Sequence, residues 1–282
     1  MSSAVTHAGF ELEGERSHLL PLLRDIWDSR TLIRTLARKD FYVKYRRASI
    51  GVLWAVGLPF IQAAVLSLIF SKIVRFHTVP PYSVFVFAGM MPWSFFSGSI
   101  NQAVTSIVDG SGIATKVYFP RAVLPVVNVL SGFHGYVPAM GVLVLFAAVM
   151  HAHFGVALLL LIPATLLMLV LTLGFSLVLA AMHVYFRDMK YIVAAITFPW
   201  LWASAVMYPL RSVGSLVRYI QYNPVVGMIE LYRAAFGGWH PAGNIVPGTG
   251  KLVLISVIWA AALTLLAFPL YLRYDRVFCD LL

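Results

Sequence analysis

The residue types that bind nucleotide phosphates or relay protons are sparse in this sequence. The nearest match to a phosphate-binding loop, Gly248-Thr249-Gly250-Lys251, lacks the upstream Gly at the required spacing and a Ser or Thr after the Lys. Two histidines, His134 and His183, fall inside long apolar stretches, where packing explains them better than a proton path. No His-Glu-x-x-His pattern occurs, and no nucleophile is marked by a neighbouring base. The sequence therefore predicts no catalytic, cofactor-binding or metal-binding residue in this chain.

The composition indicates a chain that resides in lipid. Only 11% of its 282 residues are charged and 60% are hydrophobic, whereas an ordinary soluble domain has about 25% charged residues. The 21 Lys and Arg exceed the 11 Asp and Glu, but a basic nucleic-acid groove needs a solvated scaffold. The composition therefore predicts the membrane as a partner and excludes nucleic acid.

Six apolar stretches meet or approach the roughly 20 residues that a helix needs to cross a bilayer. No stretch shows the ten-residue alternation of a membrane β-strand. The sequence thus predicts an all-α membrane protein with six transmembrane helices per chain, at about Ile50–Ile73, Tyr82–Val108, Ala122–Met150, Gly155–Phe186, Tyr191–Leu210 and Lys251–Arg273.

The distribution of positive charge predicts the orientation of the spans. Lys and Arg are retained on the cytoplasmic side, and six spans put both termini on the same side. If that side is the cytoplasm, it holds fifteen of the 21 Lys and Arg residues, and six lie outside. Both termini are therefore expected in the cytoplasm, with residues 1–49 as a cytoplasmic arm, 50–273 as the transmembrane domain and 274–282 as a tail.

Two segments outside the spans have amphipathic or apolar character. Leu19–Arg38 alternates Leu, Ile and Trp with Arg at helical spacing, which predicts a helix lying in the membrane surface. The outer segment at about 211–250 holds an aromatic stretch too short to cross. It is predicted to form a re-entrant helical segment that starts at Pro224 and stops at Gly237-Gly238; a helix lying flat on the outer surface is the alternative.

Short charged motifs mark the ends of the spans. Before and within the first span stand Arg38-Lys39-Asp40 and Tyr45-Arg46, followed by Gly51 and Trp54. Between later spans come Lys116-Val117-Tyr118-Phe119-Pro120-Arg121, Phe186-Arg187-Asp188 and Asn223-Pro224. In this order and at these positions, the chain closely resembles the ABC-2 family of transport permeases, in particular exporters of O-antigen, capsule and teichoic acid. The resemblance runs from about Arg30 to Arg276; Lys39 departs from the residue often found before the Asp.

The resemblance implies a homodimer associated with two copies of a separate ATPase that binds the ATP and Mg. It also implies that the loop from Asp109 to Arg121 is similar to the coupling helix that docks into that ATPase. Its predicted coupling residues are Asp109, Lys116, Tyr118, Phe119, Pro120 and Arg121. An ordinary charged turn is the alternative interpretation of the same residues.

The substrate implied by the resemblance is a lipid-linked glycan, which carries a pyrophosphate at headgroup depth. Lys44, Arg46 and Arg47 stand where the chain turns into the membrane, and Arg binds phosphate oxygens in a planar, bidentate way. We expect these residues to capture the lipid pyrophosphate, although positive-inside anchoring explains the same charges. Arg187 and Asp188, at the end of the fourth span, are expected to form a structural lock near the cytoplasmic gate.

Aromatic residues make up 14% of the chain and cluster in the second and fifth spans. Aromatic faces stack on the apolar side of sugar rings, so these residues are candidates to line a conduit; helix packing and interfacial belts also use them. The candidate channel aromatics are Phe85, Phe87, Trp93, Phe95, Phe96, Trp200, Trp202 and Tyr208.

The function that the sequence predicts is the permease subunit of an ABC exporter that carries lipid-linked polysaccharide across the bacterial inner membrane. An ABC-2 exporter of a small drug or lipid is the first alternative. A membrane-bound glycosyl or lipid transferase is another, but it would need an Asp-x-Asp type of site near a membrane face, and the sequence has none. A non-catalytic scaffold or channel is the last alternative.

Overall fold

The structure, a computed structural model, describes residues 24, 26–72, 82–110, 112, 119–152, 155–236 and 248–281, with the backbone alone at 70–72, 211, 268 and 272–281. All regular structure in these ranges is helical, as predicted. The α-helices are α1 (Arg30–Tyr45), α2 (Trp54–Lys72), α3 (Tyr82–Val104), α4 (Ser106–Asp109), α5 (Val123–Val149), α6 (Leu161–Tyr185), α7 (Met189–Ala203), α8 (Val217–Ile220), α9 (Pro224–Ala235) and α10 (Thr249–Leu281). Short 3-10 turns at Gly51–Leu53, Val156–Leu160 and Leu210–Leu216 precede α2, α6 and α8.

Five segments in the described ranges are long and apolar enough to cross a membrane. They are Gly51–Ile69, Tyr82–Val104, Val123–Val149, Val156–Tyr185 and Thr249–Tyr271. These segments correspond to the predicted first, second, third, fourth and sixth spans. They have 19 to 30 residues, and a helix needs roughly 20 to cross the hydrocarbon core, so each can cross once.

The predicted fifth span is shorter than expected. Helix α7 has 15 residues and ends at Ala203, so the prediction of a continuous helix from Tyr191 to Leu210 is wrong. The helix ends because the chain turns at Ala205, which adopts a left-handed conformation with φ of 52°, a region that side-chain-bearing residues rarely occupy. At 1.5 Å per residue, α7 is about 22 Å long, less than the thickness of the hydrocarbon core.

Helix α1 overlaps the second part of the predicted surface helix, and residues 24 and 26–28 of the predicted range are also helical. It runs from Arg30 to Tyr45, whereas the prediction ended at Arg38; Leu19 and the residues up to 23 lie outside the described part of the chain. Ile33, Ala37 and Phe41, spaced by four residues, are its buried positions. They form the face that packs on α5 and on Phe119.

Helix α3 is the centre of the bundle. It packs against α2, α5, α6, α7 and α9, and most of its side chains are buried. Its first half is apolar on all sides, which is typical of a helix surrounded by other helices.

Helix α9 is also enclosed by the bundle, between α3, α6 and α10. It starts at Pro224, as predicted, and ends at Ala235; Gly237 and Gly238 lie outside the described residues. Gly227 lets α9 approach α10 closely, because a Cβ at this position would lie 2.1 Å from the carbonyl oxygen of Leu252. Nearby, Ser256 Oγ donates a hydrogen bond to the Pro224 carbonyl at 2.6 Å.

Candidate functional site: a polar stripe on the second membrane helix

The second half of α3 has one partly exposed face, and that face is polar. Between Trp93 and Val104 the partly exposed residues are Ser94, Ser97, Gly98, Asn101 and Gln102, and the others are buried. Their spacing of three, four, seven and eight residues from Ser94 places them on one side of the helix. We call these five residues the polar stripe. Hydroxyl and amide groups are unfavourable against lipid, so the polar stripe is suited to water or a polar ligand.

Helix α7 flanks the polar stripe on one side. Asn101 Nδ2 donates to the Ser97 carbonyl at 2.8 Å and to Thr197 Oγ1 of α7 at 3.1 Å. Thr197 in turn donates to the Val193 carbonyl at 2.6 Å. A chain of hydrogen bonds therefore links the stripe to α7.

Helices α1 and α2 flank a cavity of about 290 Å³ on the stripe's other side. Gln62 of α2 and Lys44 of α1 line this cavity together with Ser94, Ser97 and Gln102. Ser99 also lines it; its side chain is 3% exposed, and its hydroxyl has no hydrogen-bond partner in the described part of the chain. Such a buried hydroxyl is satisfied by water or by a ligand hydroxyl entering the cavity.

The helices beside the polar stripe carry unburied apolar surface. In α2, Leu58, Ile61 and Leu68 are each more than half exposed. In α7, Val193 is the buried residue, while Ile196 and Phe198 are also more than half exposed. Lipid or another protein chain is needed to cover these surfaces.

The structure places the candidate channel aromatics of the second span inside the protein. Phe85, Phe87, Trp93, Phe95 and Phe96 are at most 7% exposed. Phe87, Trp93, Phe95 and Phe96 pack on rings of neighbouring helices; Phe96, for example, lies edge-on to Phe175 at 5.6 Å between centroids. Phe95 also lines the cavity beside the polar stripe. The buried position of the five rings accounts for their size and apolar character through packing, the second of the two interpretations that the sequence allowed.

The three remaining candidate aromatics lie around the end of α7. Trp200 is half-buried and packs against Phe96 and Phe175 at 5.3 Å between centroids. Trp202 is 41% exposed, and the Tyr208 hydroxyl donates to its carbonyl. Trp202 is thus the most exposed of the eight predicted rings.

A buried arginine joins α9 to the turn that ends α7. Arg233 is fully buried, and its Nη1 donates to Glu230 Oε1 at 2.7 Å. Its Nη2 donates to the carbonyls of Ala205 and Val206 at 2.8 and 2.7 Å. The guanidinium also lies over the Phe85 ring, 3.5 Å from its centroid. The sequence predicted that this residue lies in the outer segment at about 211–250. Its contacts instead hold α9 against the turn after α7, inside the bundle.

The Asn-Pro motif makes a second junction between the same two helices. Asn223 caps α9 by accepting from the Val225 N–H at 3.0 Å, and its Oδ1 also accepts from Trp200 Nε1 at 3.1 Å. Its Nδ2 donates to the Ala203 carbonyl and to Ser204 Oγ. Both hydrogen-bonding groups of the Asn side chain are therefore used to hold the end of α7 against the start of α9.

The predicted coupling residues are partly described. Asp109 is exposed at the end of α4, and Phe119 is 7% exposed. Pro120 and Arg121 are half-buried at the start of α5. Lys116 and Tyr118 lie outside the described residues. Phe119 packs with Ile33 and Ala37 of α1 and with residues of α5, so the end of this loop is fixed to both helices.

The predicted pyrophosphate and gate residues lie at helix ends. Lys44 lines the cavity, whereas Arg46 and Arg47 are exposed in the turn after α1 and do not line it. Partial burial lowers the pKa of Lys44. Arg187 and Asp188 are exposed in the turn between α6 and α7, and the Asp188 carbonyl accepts from the N–H groups of Tyr191 and Ile192.

The polar stripe was missed by the sequence analysis, although the sequence contains a signal for it. Ser94, Ser97, Asn101 and Gln102 recur at helical spacing inside a predicted span. Within an otherwise apolar span, polar residues on one face indicate the side that avoids lipid.

Comparison with known proteins agrees with the motifs. The model of the ABC-2 type transporter family matches residues 31–236. The O-antigen export system permease protein RfbA of Myxococcus xanthus is 29% identical over 250 residues, which cover 86% of this chain and 95% of that protein. RfbA of Klebsiella pneumoniae is 25% identical over 256 residues, 89% of this chain and 95% of the relative. The polysialic acid transport protein KpsM of Escherichia coli is 25% identical over 240 residues, 82% and 91% of the two chains.

Proposed function

Because this chain belongs to the ABC-2 type transporter membrane family, we propose that it is the permease subunit of an ABC exporter of lipid-linked polysaccharide. It is a multi-pass transport subunit rather than an enzyme. Relatives named for O-antigen export and polysialic acid transport support a glycan as the substrate. The observation that carries the proposal is the polar stripe, a row of neutral hydrogen-bonding groups within a membrane-crossing helix.

The chemistry of the polar stripe suits a sugar polymer better than a small apolar drug or lipid. Ser, Asn and Gln side chains donate and accept hydrogen bonds without carrying charge. Groups of this kind replace the water around sugar hydroxyls and release each repeat unit readily, because neutral hydrogen bonds contribute only about 1 kcal/mol each. A path for an apolar molecule would not need amide and hydroxyl groups on its surface.

A second copy of the chain is proposed to close the conduit. The polar stripe lies on one face of the bundle, beside the exposed apolar surfaces of α2 and α7. Two such faces brought together would enclose the stripes and cover apolar surface, as in a twofold-symmetric dimer. The proposed assembly is therefore a homodimer, with a water-filled path between the two copies.

The energy is proposed to come from two copies of a separate ATPase subunit, which carry the ATP and Mg. An ABC ATPase is the partner that the family implies. We propose that the movement of the ATPase is transmitted to this chain through the predicted coupling loop. That loop contains Asp109, Lys116, Tyr118, Phe119, Pro120 and Arg121. The packing of Phe119 on Ile33 and Ala37 supports this role, because a displaced loop would then move α1 and α5 together.

The proposed topology places six crossings in the bacterial inner membrane, with both termini in the cytoplasm. Helix α7 and the turn that follows it would make the fifth crossing, α1 would lie in the inner membrane surface, and α9 would be the re-entrant segment at about 211–250. The buried Arg233 and Asn223 contacts support this arrangement, because they hold α9 against the end of α7. Residues 1–49 and 274–282 would then be the cytoplasmic arm and tail, on either side of a transmembrane domain at 50–273.

Capture of the lipid pyrophosphate is proposed for Lys44, Arg46 and Arg47, at the end of α1. Lys44 lines the cavity that leads to the polar stripe, so a phosphate held there would leave the attached sugar beside Gln62 and Gln102. Arg187 and Asp188 are proposed to lock the turn between α6 and α7 near the cytoplasmic gate.

Depletion of the protein in its host tests the proposed function. Lipid-linked glycan should accumulate in the cytoplasmic leaflet, while glycan disappears from the cell surface, and affinity purification of the chain should recover an ATPase. Normal surface glycan after depletion, or purification without any ATPase, would contradict the proposal.

A further inference from the structure

A second cavity lies between α1 and α5. It is on a different face of α1 from the cavity of about 290 Å³ beside the polar stripe, which we call the polar cavity. Its volume is about 950 Å³. It shares no lining residue with the polar cavity, which α1 lines with Phe41, Lys44 and Tyr45. We call it the basic groove. Its lining residues include Arg34, Arg38 and Lys39 of α1, and Phe133, His134 and Val137 of α5.

The α1 side of the basic groove is positively charged. Arg34, Arg38 and Lys39 are exposed, and no carboxylate in the described ranges lies within 4 Å of their side-chain nitrogens. The adjacent Asp40 does not line the groove; partial burial raises the pKa of its carboxyl, although Lys39 acts in the opposite direction. Three cations within two turns of helix therefore face a groove that has no matching anion among the described residues.

The α5 side of the basic groove is apolar apart from His134, whose Nδ1 lies 2.7 Å from the Leu130 carbonyl oxygen. Leu130, Phe133, Val137 and Pro138 lie on one face of a membrane-crossing helix. Val137 is 52% exposed, and Leu130 and Phe133 are half-buried. A row of cations above an apolar wall matches a molecule with a phosphate headgroup and an acyl chain.

We propose that the basic groove holds one anionic glycerophospholipid, with its phosphate on Arg34, Arg38 and Lys39 and an acyl chain along Phe133 and Val137. The inference rests on the proposed placement of α1 in the membrane surface. It goes beyond the transport function, because a glycan attached to a lipid here would lie across α1 from the polar cavity. The bound lipid is thus a structural constituent that joins α1 to α5, and not the exported molecule.

Lipid retention by the full-length protein, purified together with its ATPase, tests the proposal. The delipidated complex is titrated with phosphatidylglycerol or with phosphatidylcholine of the same acyl chains, and bound lipid is counted by native mass spectrometry. We expect the wild type to retain phosphatidylglycerol selectively. The R34Q/R38Q/K39Q variant should bind it more weakly, by roughly fivefold for each cation removed.

Two further variants keep the test decisive. K44Q/R46Q/R47Q also removes three positive charges, but from the proposed pyrophosphate site at the end of α1. This variant should retain phosphatidylglycerol like the wild type. Val137→Trp fills the groove without changing its charge and should also lose the lipid, which decides the question if the triple groove variant fails to insert. Equal retention of both lipids, equal weakening by the two triple variants, or full retention by V137W would each overturn the proposal. Loss of glycan export in K44Q/R46Q/R47Q with normal lipid retention concerns the transport function alone.

Discussion

The indole Nε1 of Trp200 donates a hydrogen bond to Oδ1 of Asn223 at 3.1 Å. The same oxygen accepts from the Val225 N–H, so one carboxamide both caps α9 and binds the last turn of α7. This contact joins a candidate aromatic of the fifth span to the Asn-Pro motif. The Asn side chain of this motif is therefore a structural junction between α7 and α9.

Replacing Asn223 by Ala should destabilise the protein. The change removes an N-cap, which contributes about 1 kcal/mol, and it leaves Trp200 Nε1 and the Ala203 carbonyl without their partner. We expect a loss of about 2–3 kcal/mol in total, measured as a lower Tm of the detergent-solubilised protein. Gln221→Ala, which removes only exposed hydrogen bonds, is the matched control; equal Tm values for the two variants would contradict the prediction.

Replacing Arg233 alone should destabilise the protein more than replacing Arg233 and neutralising Glu230 in the same variant. Arg233→Met leaves a buried carboxylate without its cation, which typically costs 3–5 kcal/mol. The double variant E230Q/R233M removes that charge and should recover part of the lost stability, although the carbonyls of Ala205 and Val206 stay unpaired. Thermal unfolding of the three proteins compares them. A double variant no more stable than R233M would show that the ion pair is not the important contact.

Gly227→Ala should force α9 away from α10. The added Cβ would lie 2.1 Å from the Leu252 carbonyl oxygen and 2.6 Å from Ser256 Oγ, and backbone cannot move aside as a flexible side chain does. Overpacking of this kind costs about 1–3 kcal/mol. Gly141→Ala, where a Cβ meets nothing within 4 Å, should be neutral or slightly stabilising. The measurement is the Tm of both variants, and equal effects would be inconsistent with the close approach of the two helices.

The polar stripe should be accessible to water in the assembled transporter. In a Cys279→Ser background, Ser97→Cys is expected to react with a charged, water-soluble thiol reagent. Leu145→Cys, at a position of α5 that is 66% exposed and apolar, should face lipid and react much more slowly, because thiol chemistry needs the thiolate form. Equal labelling rates at the two positions would remove the support that the polar stripe lends to a conduit.

Phe119→Ala should uncouple ATP hydrolysis from export. The substitution removes the side chain that packs the end of the predicted coupling loop on Ile33 and Ala37, and truncation of a buried Phe typically costs about 3–5 kcal/mol. Phe119→Leu should retain most of the packing and most of the export. ATPase activity and glycan export are measured together in membranes. Full export by the Ala variant would show that this contact does not transmit the movement of the ATPase to the membrane helices.

The sequence by itself determined that the chain is helical, that it lies in a membrane and which family it belongs to. Apolar stretches of about 20 residues are sufficient for the first two conclusions, because lipid accepts only segments whose backbone groups are satisfied internally. The start of α9 at Pro224 was also readable, since Asn followed by Pro both caps a helix and presets its first residue. These are local properties, which depend on composition and on neighbouring residues.

Only the tertiary structure decided which side chains face inwards. A helix that is apolar on all sides, such as the first half of α3, has no periodicity that indicates its contacts, so Phe85 and Trp93 were as compatible with a conduit as with a core. The turn that ends α7 and the buried Arg233 are joined by a hydrogen bond between residues 28 positions apart, which no local pattern contains. Whether a side chain is buried depends on the helices that surround it. The arrangement of those helices is set by packing between segments that are distant in the sequence.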